Sequence, residues 1–177
     1  MESKKLKISG FGGQGIILSS YIVGKAASVF DGKAAAMTQV YGPEARGGAC
    51  SSQVVINEDF VDYPLVDTAD VLVAMSQEGC DKFLPILKSG GILFYDDGFV
   101  SGVDSRGKFK ALSIPATGLA EKLGKKIVAN IVMLGFMTAH TDLVSAGAME
   151  AAIRDSVPEK YVEVNLTAFK TGLEYTE

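Results

Sequence analysis

The sequence is poor in the side chains that carry chemistry: its 177 residues include one histidine and two cysteines. A [4Fe-4S] cluster takes four thiolates. Cys50 and Cys80 lie far apart with no cysteine beside either, so this chain alone builds no cluster. A structural zinc site of the cysteine/histidine type fails on the same inventory, and two isolated cysteines make no disulfide framework. With His140 as the single histidine and no G-x-S-x-G segment, a hydrolase triad has no support. P-loop, EF-hand and HExxH spacings are missing as well.

Long apolar runs are also lacking. The most apolar stretch, Ile127 to Ala139, contains Asn130 and falls well short of the ~20 residues that span a bilayer, so it reads as a core helix and no membrane partner is expected. The start, Met1-Glu2-Ser3-Lys4-Lys5-Leu6-Lys7, has no apolar signal segment, and the expectation is a cytoplasmic protein. Seventeen basic residues against 21 acidic ones give a net charge of −4, which argues against a nucleic-acid partner.

What the sequence does have is apolar mass and glycine. Hydrophobic residues make up 47% and charged residues 21%, enough for one folded domain that buries about two-thirds of its unfolded surface. The 20 glycines are about 11% of the chain, against a usual ~7%.

The apolar pattern alternates strand and helix. Leu6 to Ser9 reads as a strand that runs into Gly10-Phe11-Gly12-Gly13-Gln14-Gly15, and helical spacing follows from Ile16 to Phe30. Asp31-Gly32 stops that helix. Strands are predicted at Ala34 to Val40, Ser51 to Ile56, Val71 to Ala74 and Gly91 to Tyr95, with a helix over Gln77 to Lys88. From Pro115 the pattern turns helical, at Thr117 to Leu123, Ile127 to His140, Ser145 to Asp155 and Glu159 to Leu173. The expected fold is a single α/β domain over residues 1–177, Rossmann-like and three-layered, its sheet mostly parallel with helices on both faces.

Gly10, Gly12 and Gly15 fit G-x-G-x-x-G in the context that gives the pattern meaning, after a strand and opening a helix. Gly10 permits the tight turn, Gly12 the approach of a phosphate, and Gly15 the packing of helix on sheet. The free N–H groups at the helix start favour an anion. The acidic residue that would hold a nicotinamide ribose is missing, because the second strand ends in Thr38-Gln39-Val40. A phosphate-bearing ligand other than NAD and a tight turn with no ligand both remain open. A second loop, Tyr41-Gly42-Pro43-Glu44-Ala45-Arg46-Gly47-Gly48, sets Tyr, Glu and Arg on irregular backbone. Arg46 can fork onto a phosphate or carboxylate, or pair with Glu44 inside the loop. Blander readings suit His140 as a helix-end residue, Asp96-Asp97-Gly98 as a turn, Asn130 as a buried amide and Cys50 as a small core residue.

Together, Gly10-Phe11-Gly12-Gly13-Gln14-Gly15 and Tyr41-Gly42-Pro43-Glu44-Ala45-Arg46-Gly47-Gly48 resemble the gamma subunit of 2-oxoacid:ferredoxin oxidoreductases. Ser89-Gly90-Gly91, Ile114-Pro115-Ala116, Asn130 to Gly135 and Asn165 to Gly172 extend the resemblance along nearly the whole chain. It is nearest the gamma chains of the 2-oxoglutarate and branched-chain enzymes, with a lean to 2-oxoglutarate.

The resemblance implies a subunit, inactive alone, of a complex that turns a 2-oxoacid and coenzyme A into acyl-CoA and CO2 and passes electrons to ferredoxin. Thiamine diphosphate with Mg and the [4Fe-4S] clusters would then belong to partner alpha, beta and, in some complexes, delta subunits. The residues expected at the coenzyme A site and its surroundings are Gly10, Gly12, Gly13, Gln14 and Gly15, with Tyr41, Gly42, Glu44, Arg46 and Gly47 towards coenzyme A, the partner subunits or the shared active site. No catalytic residue and no metal ligand is expected on this chain. The other readings are a stand-alone nucleotide-binding redox protein and a purely structural subunit.

Overall fold

Near-continuous buried runs along the central strands, such as Val71 to Ala74, mark a sheet covered on both faces, and the helices sort onto them. The computed structural model describes residues 2–41 and 49–176. Six strands, β1 (Lys4–Phe11), β2 (Ala34–Tyr41), β3 (Ala49–Asn57), β4 (Ala69–Ala74), β5 (Leu87–Asp96) and β6 (Lys110–Ile114), form one sheet in the order β2-β3-β1-β4-β5-β6. β1, β4, β5 and β6 are mutually parallel. β3 alone is reversed, antiparallel to both β1 and β2, so the sheet is mostly parallel as expected. The reversal of β3 lies beyond what apolar spacing can show.

The larger core lies on the face of Leu6, Ile8, Val54, Val71 and Val73. It is covered by α1 (Ile16–Lys25), α3 (Ala116–Lys122), α4 (Ala129–His140), α5 (Ala146–Ser156) and α6 (Glu159–Leu173). The opposite face carries Leu72, Ala74 and Leu93 and is covered by α2 (Gln77–Phe83) with Cys80 and Val100. α4 is the most buried helix, with ten consecutive buried residues from Ala129 to Thr138.

Gly135 of α4 and Gly172 of α6 let two helix backbones touch. A Cβ on Gly135 would collide with the Phe169 carbonyl, and one on Gly172 with the Val132 carbonyl.

Three expected elements differ in extent. The helix from Ile16 is α-helical only to Lys25 and continues as a wider turn from Ala26 to Phe30, closed by Asp31 N–H donating to the Ala26 carbonyl at 2.9 Å. The helix expected over Gln77 to Lys88 stops at Phe83. Pro85 has no N–H to continue it, and a short 3-10 turn, Leu84–Ile86, leads into β5 four residues before Gly91. β6 was not expected at all; its five residues are too few to show alternation against the polar run before them.

Candidate functional site

The register of the sheet brings the two glycine-rich segments to one end. Gly10 and Phe11 close β1 opposite Cys50 and Ala49, and Tyr41 closes β2 opposite the same Cys50. Tyr41 and Ala49, the residues flanking the second segment, therefore lie beside the first. Gly42, Glu44, Arg46 and Gly47 fall outside the described residues.

The glycine turn is held from within. Gln14 Oε1 accepts from Phe11 N–H at 2.6 Å, and Gln14 Nε2 donates to the Met75 carbonyl at 2.9 Å, so both ends of this amide are committed to the protein. Gly10 sits beneath it, where a Cβ would lie 2.5 Å from Gln14 Oε1 and 2.7 Å from Ile16 Cδ1. Met75 N–H donates to the Ser9 carbonyl at 2.8 Å, which fixes the end of β4 against β1.

Gly15 takes a left-handed conformation, φ +74°, as the N-cap of α1. Asn130, at the start of α4, donates through Nδ2 to the Gly15 carbonyl at 3.2 Å and to Ser19 Oγ at 3.1 Å. A Cβ on Gly15 would come within 2.5 Å of that Nδ2. Asn130 is a buried amide as expected, and it also positions the turn. No local signal marks that role, because its partners lie more than a hundred residues earlier in the chain.

Gly12 and Gly13 are exposed. Gly13 has φ +95° with open space where a side chain would be. α1 has no side-chain cap and no acidic residue in its first turn. The N–H groups of Ile16, Ile17 and Leu18 precede any acceptor within the helix. An exposed, uncapped helix start of this kind presents partial positive charge to an anion, worth about 0.3–1 kcal/mol per interaction.

Beside the turn runs a groove of about 340 Å³ between α1, the 3-10 turn Lys126–Val128 and α6. Its walls include Leu18, Ile127, Tyr161 and Val164, with Lys125 as a cation among them. Ile127 is 73% exposed, unusually open for an isoleucine. Sequence reading placed Ile127 and Tyr161 in helices and attached no function to them.

The remaining candidates take scaffold positions. Asp96 is fully buried and caps α3, its Oδ2 accepting from Thr117 N–H at 3.0 Å and Thr117 Oγ1 at 2.6 Å while Oδ1 accepts from Gly98 N–H at 3.1 Å. Burial and the neighbouring Asp96 push the Asp97 carboxyl up. His140 Nδ1 lies 2.9 Å from the Phe136 carbonyl at the end of α4. Cys50 is buried, which raises its thiol pKa. Among the described residues no three His, Cys, Asp or Glu side chains converge as a metal site, and no helix is long and apolar enough to cross a membrane.

Fold and site thus define a single Rossmann-like domain with an exposed glycine turn at an uncapped helix start and no converged set of metal ligands among the described residues. The family model described as pyruvate ferredoxin/flavodoxin oxidoreductase matches residues 5–175, and the chain belongs to that family. It is 48% identical to the 2-oxoglutarate synthase subunit KorC of Methanocaldococcus jannaschii, over 97% of this chain and 92% of that protein. It is 46% identical to the KorC subunit of Methanothermobacter thermautotrophicus, over 97% and 94%.

Among solved structures, the gamma subunit of a keto/oxoacid ferredoxin oxidoreductase from Geobacter sulfurreducens superposes with a TM-score of 0.86 at 42% identity, over 97% of this chain and 96% of that one. A 2-oxoglutarate:ferredoxin oxidoreductase from Magnetococcus marinus, solved with 2-oxoglutarate, coenzyme A and succinyl-CoA bound, shares the fold with a TM-score of 0.88 at 24% identity. The match covers 98% of this chain and 31% of that longer one.

Proposed function

We propose that this chain is the gamma-type subunit of a cytoplasmic 2-oxoacid:ferredoxin oxidoreductase of the 2-oxoglutarate type. The observation that carries this reading is the near-full-length similarity to KorC subunits at 46–48% identity. In such a complex a 2-oxoacid and coenzyme A give acyl-CoA and CO2, with two electrons passed to ferredoxin. The redox and decarboxylating groups fit partner alpha, beta or delta subunits rather than this one. Cys50 on β3 and Cys80 on α2 are buried on separate elements and form no cluster cradle.

Coenzyme A fits the residues that this chain offers. Its phosphates meet the exposed Gly12-Gly13 backbone and the first amides of α1, while Gln14 and Asn130 hold the turn in shape. Gly13 is the position where any side chain would enter the space in front of the turn. To Tyr41, Glu44 and Arg46 of the neighbouring segment we assign contacts with the partner subunits or the shared active site. The chain's work is to bind and orient; proton and electron transfers belong to its partners.

The test is co-expression with the alpha and beta subunits and assay of 2-oxoglutarate-dependent viologen reduction. Gly13→Ala is expected to raise KM for coenzyme A about tenfold with kcat little changed, the signature of lost ground-state binding. Arg46→Ala is expected to lower activity in the assembled complex. Assembled variants with wild-type kinetics over the full range of coenzyme A would overturn the site, and micromolar binding of NADH or flavin to the isolated chain would overturn the function.

A further inference from the structure

Two buried amides line the groove beside the glycine turn, and each has an idle end. Asn130 on α4 and Asn165 on α6 are 4% and 7% exposed. Both are oriented by groups that act as acceptors. Asn130 Nδ2 donates to the Gly15 carbonyl at 3.2 Å and to Ser19 Oγ at 3.1 Å, and that hydroxyl gives its own proton to the same carbonyl at 2.9 Å. Asn165 Nδ2 donates to the Tyr161 carbonyl at 2.8 Å. The NH2 ends are thereby turned to the protein, and neither Oδ1 accepts a hydrogen bond from a described residue. Among the described residues only Ser156 Oγ is both unbonded and sealed from solvent, so the two Oδ1 atoms open onto the groove that their residues line. Acceptors set this deep call for donors, because leaving them unpaired is costly.

We infer that the groove binds the uncharged, N–H-bearing body of a phosphate ester whose phosphate sits on the glycine turn, with Asn130 Oδ1 and Asn165 Oδ1 accepting from those N–H groups; this rests on the reading of the turn as a phosphate site. The walls select the body. Leu18, Ile127 and Val164 are aliphatic and Tyr161 adds a ring, so the donors must arrive on an apolar frame. Lys125 is the one charged residue of the lining, and it disfavours an ammonium or guanidinium donor while suiting a ligand that also carries phosphate. Gly13 and Gly15 belong to the turn and line the groove as well, so one ligand can fill both without a break. Coenzyme A has two parts with this chemistry. Its pantetheine arm carries two amide N–H groups on an aliphatic chain, and its adenine carries an amino group on a flat ring.

The test is calorimetry on the co-expressed complex without 2-oxoacid, which reads binding with no turnover. The probes are coenzyme A, 4′-phosphopantetheine, 3′,5′-ADP and inorganic pyrophosphate. Asn165→Leu keeps the bulk of the side chain and removes the acceptor. It is expected to bind coenzyme A about tenfold more weakly and pyrophosphate as the wild type does. One of the two fragments should show the same loss, and that fragment is the part of coenzyme A in the groove. Ile127→Ser, at a position 73% exposed, leaves the core intact and should weaken the same fragment about fivefold by removing apolar wall, which keeps the test open if Asn165→Leu fails to fold. Assembled variants that bind coenzyme A and both fragments like the wild type overturn the groove and leave the turn standing. An equal loss for pyrophosphate makes Asn165 a support of the turn alone and overturns the groove too. A wild-type complex that binds neither coenzyme A nor pyrophosphate overturns the reading of the turn, and the groove assignment falls with it.

Discussion

The side-chain amide of Asn130 donates to the carbonyl of Gly15, at 3.2 Å, and so joins the start of α4 to the residue that opens α1. The same nitrogen also reaches Ser19 Oγ, and the shape of the glycine turn therefore depends on a residue from the far half of the chain. Asn130→Ala removes both bonds inside a buried contact. Denaturant unfolding is expected to show a loss of about 1–3 kcal/mol. Asn130→Asp, which keeps the size but cannot donate, should lose a similar amount.

Gly15 and Gly13 both have positive φ, but only Gly15 has a neighbour where a side chain would go. Alanine at either position carries about 1–2 kcal/mol of backbone strain. Gly15→Ala must also displace Asn130, so its midpoint in urea is expected to fall clearly below that of Gly13→Ala. Equal midpoints would mean that the Asn130 contact yields at no cost.

Overpacking should be felt most at the crossing of α4 and α6. Gly172→Ala drives a methyl group into the Val132 carbonyl, a backbone atom that no rotamer change can move. A loss of about 3 kcal/mol is expected, read as a drop in Tm. Gly147→Ala, on α5 with open space around it, serves as the control and should be neutral or slightly stabilising.

Burial and the nearby Asp81 push the Cys80 thiol from 9.0 up to about 11. The folded chain then holds this proton where the unfolded chain releases it, so stability is fully present below about pH 9 and declines as pH rises towards 11. Cys80→Ala should flatten that decline in thermal melts. In native protein at pH 8, Cys80 should resist alkylation until denaturant is added, since it is 1% exposed and protonated.

The parts that could be read from the sequence are those whose cause is local. The turn from Gly10 to Gly15 announces itself by glycine spacing beside apolar alternation, and the helices from Ala116 onwards by their period. Pro85 carried a local signal as well, against the helix running on to Lys88. What stayed hidden is relational. The direction of β3 depends on its partners, β6 becomes a strand only because β5 offers it an edge, and Asn130 gains its role from a turn more than a hundred residues away. Gln14 lies between these cases. Its place in the motif was evident, while the commitment of both amide ends to Phe11 and Met75 required the end of β4 to arrive beside it.

The close approach of α4 and α6 at Gly135 and Gly172 reaches beyond stability. α6 carries Val164 and Asn165 along the groove beside the glycine turn, and its distance from α4 is set by backbone touching backbone. That pair works as a spacer of zero thickness. Any atom inserted there would widen a cleft whose own residues were all unchanged, so the groove's width is encoded largely outside its lining.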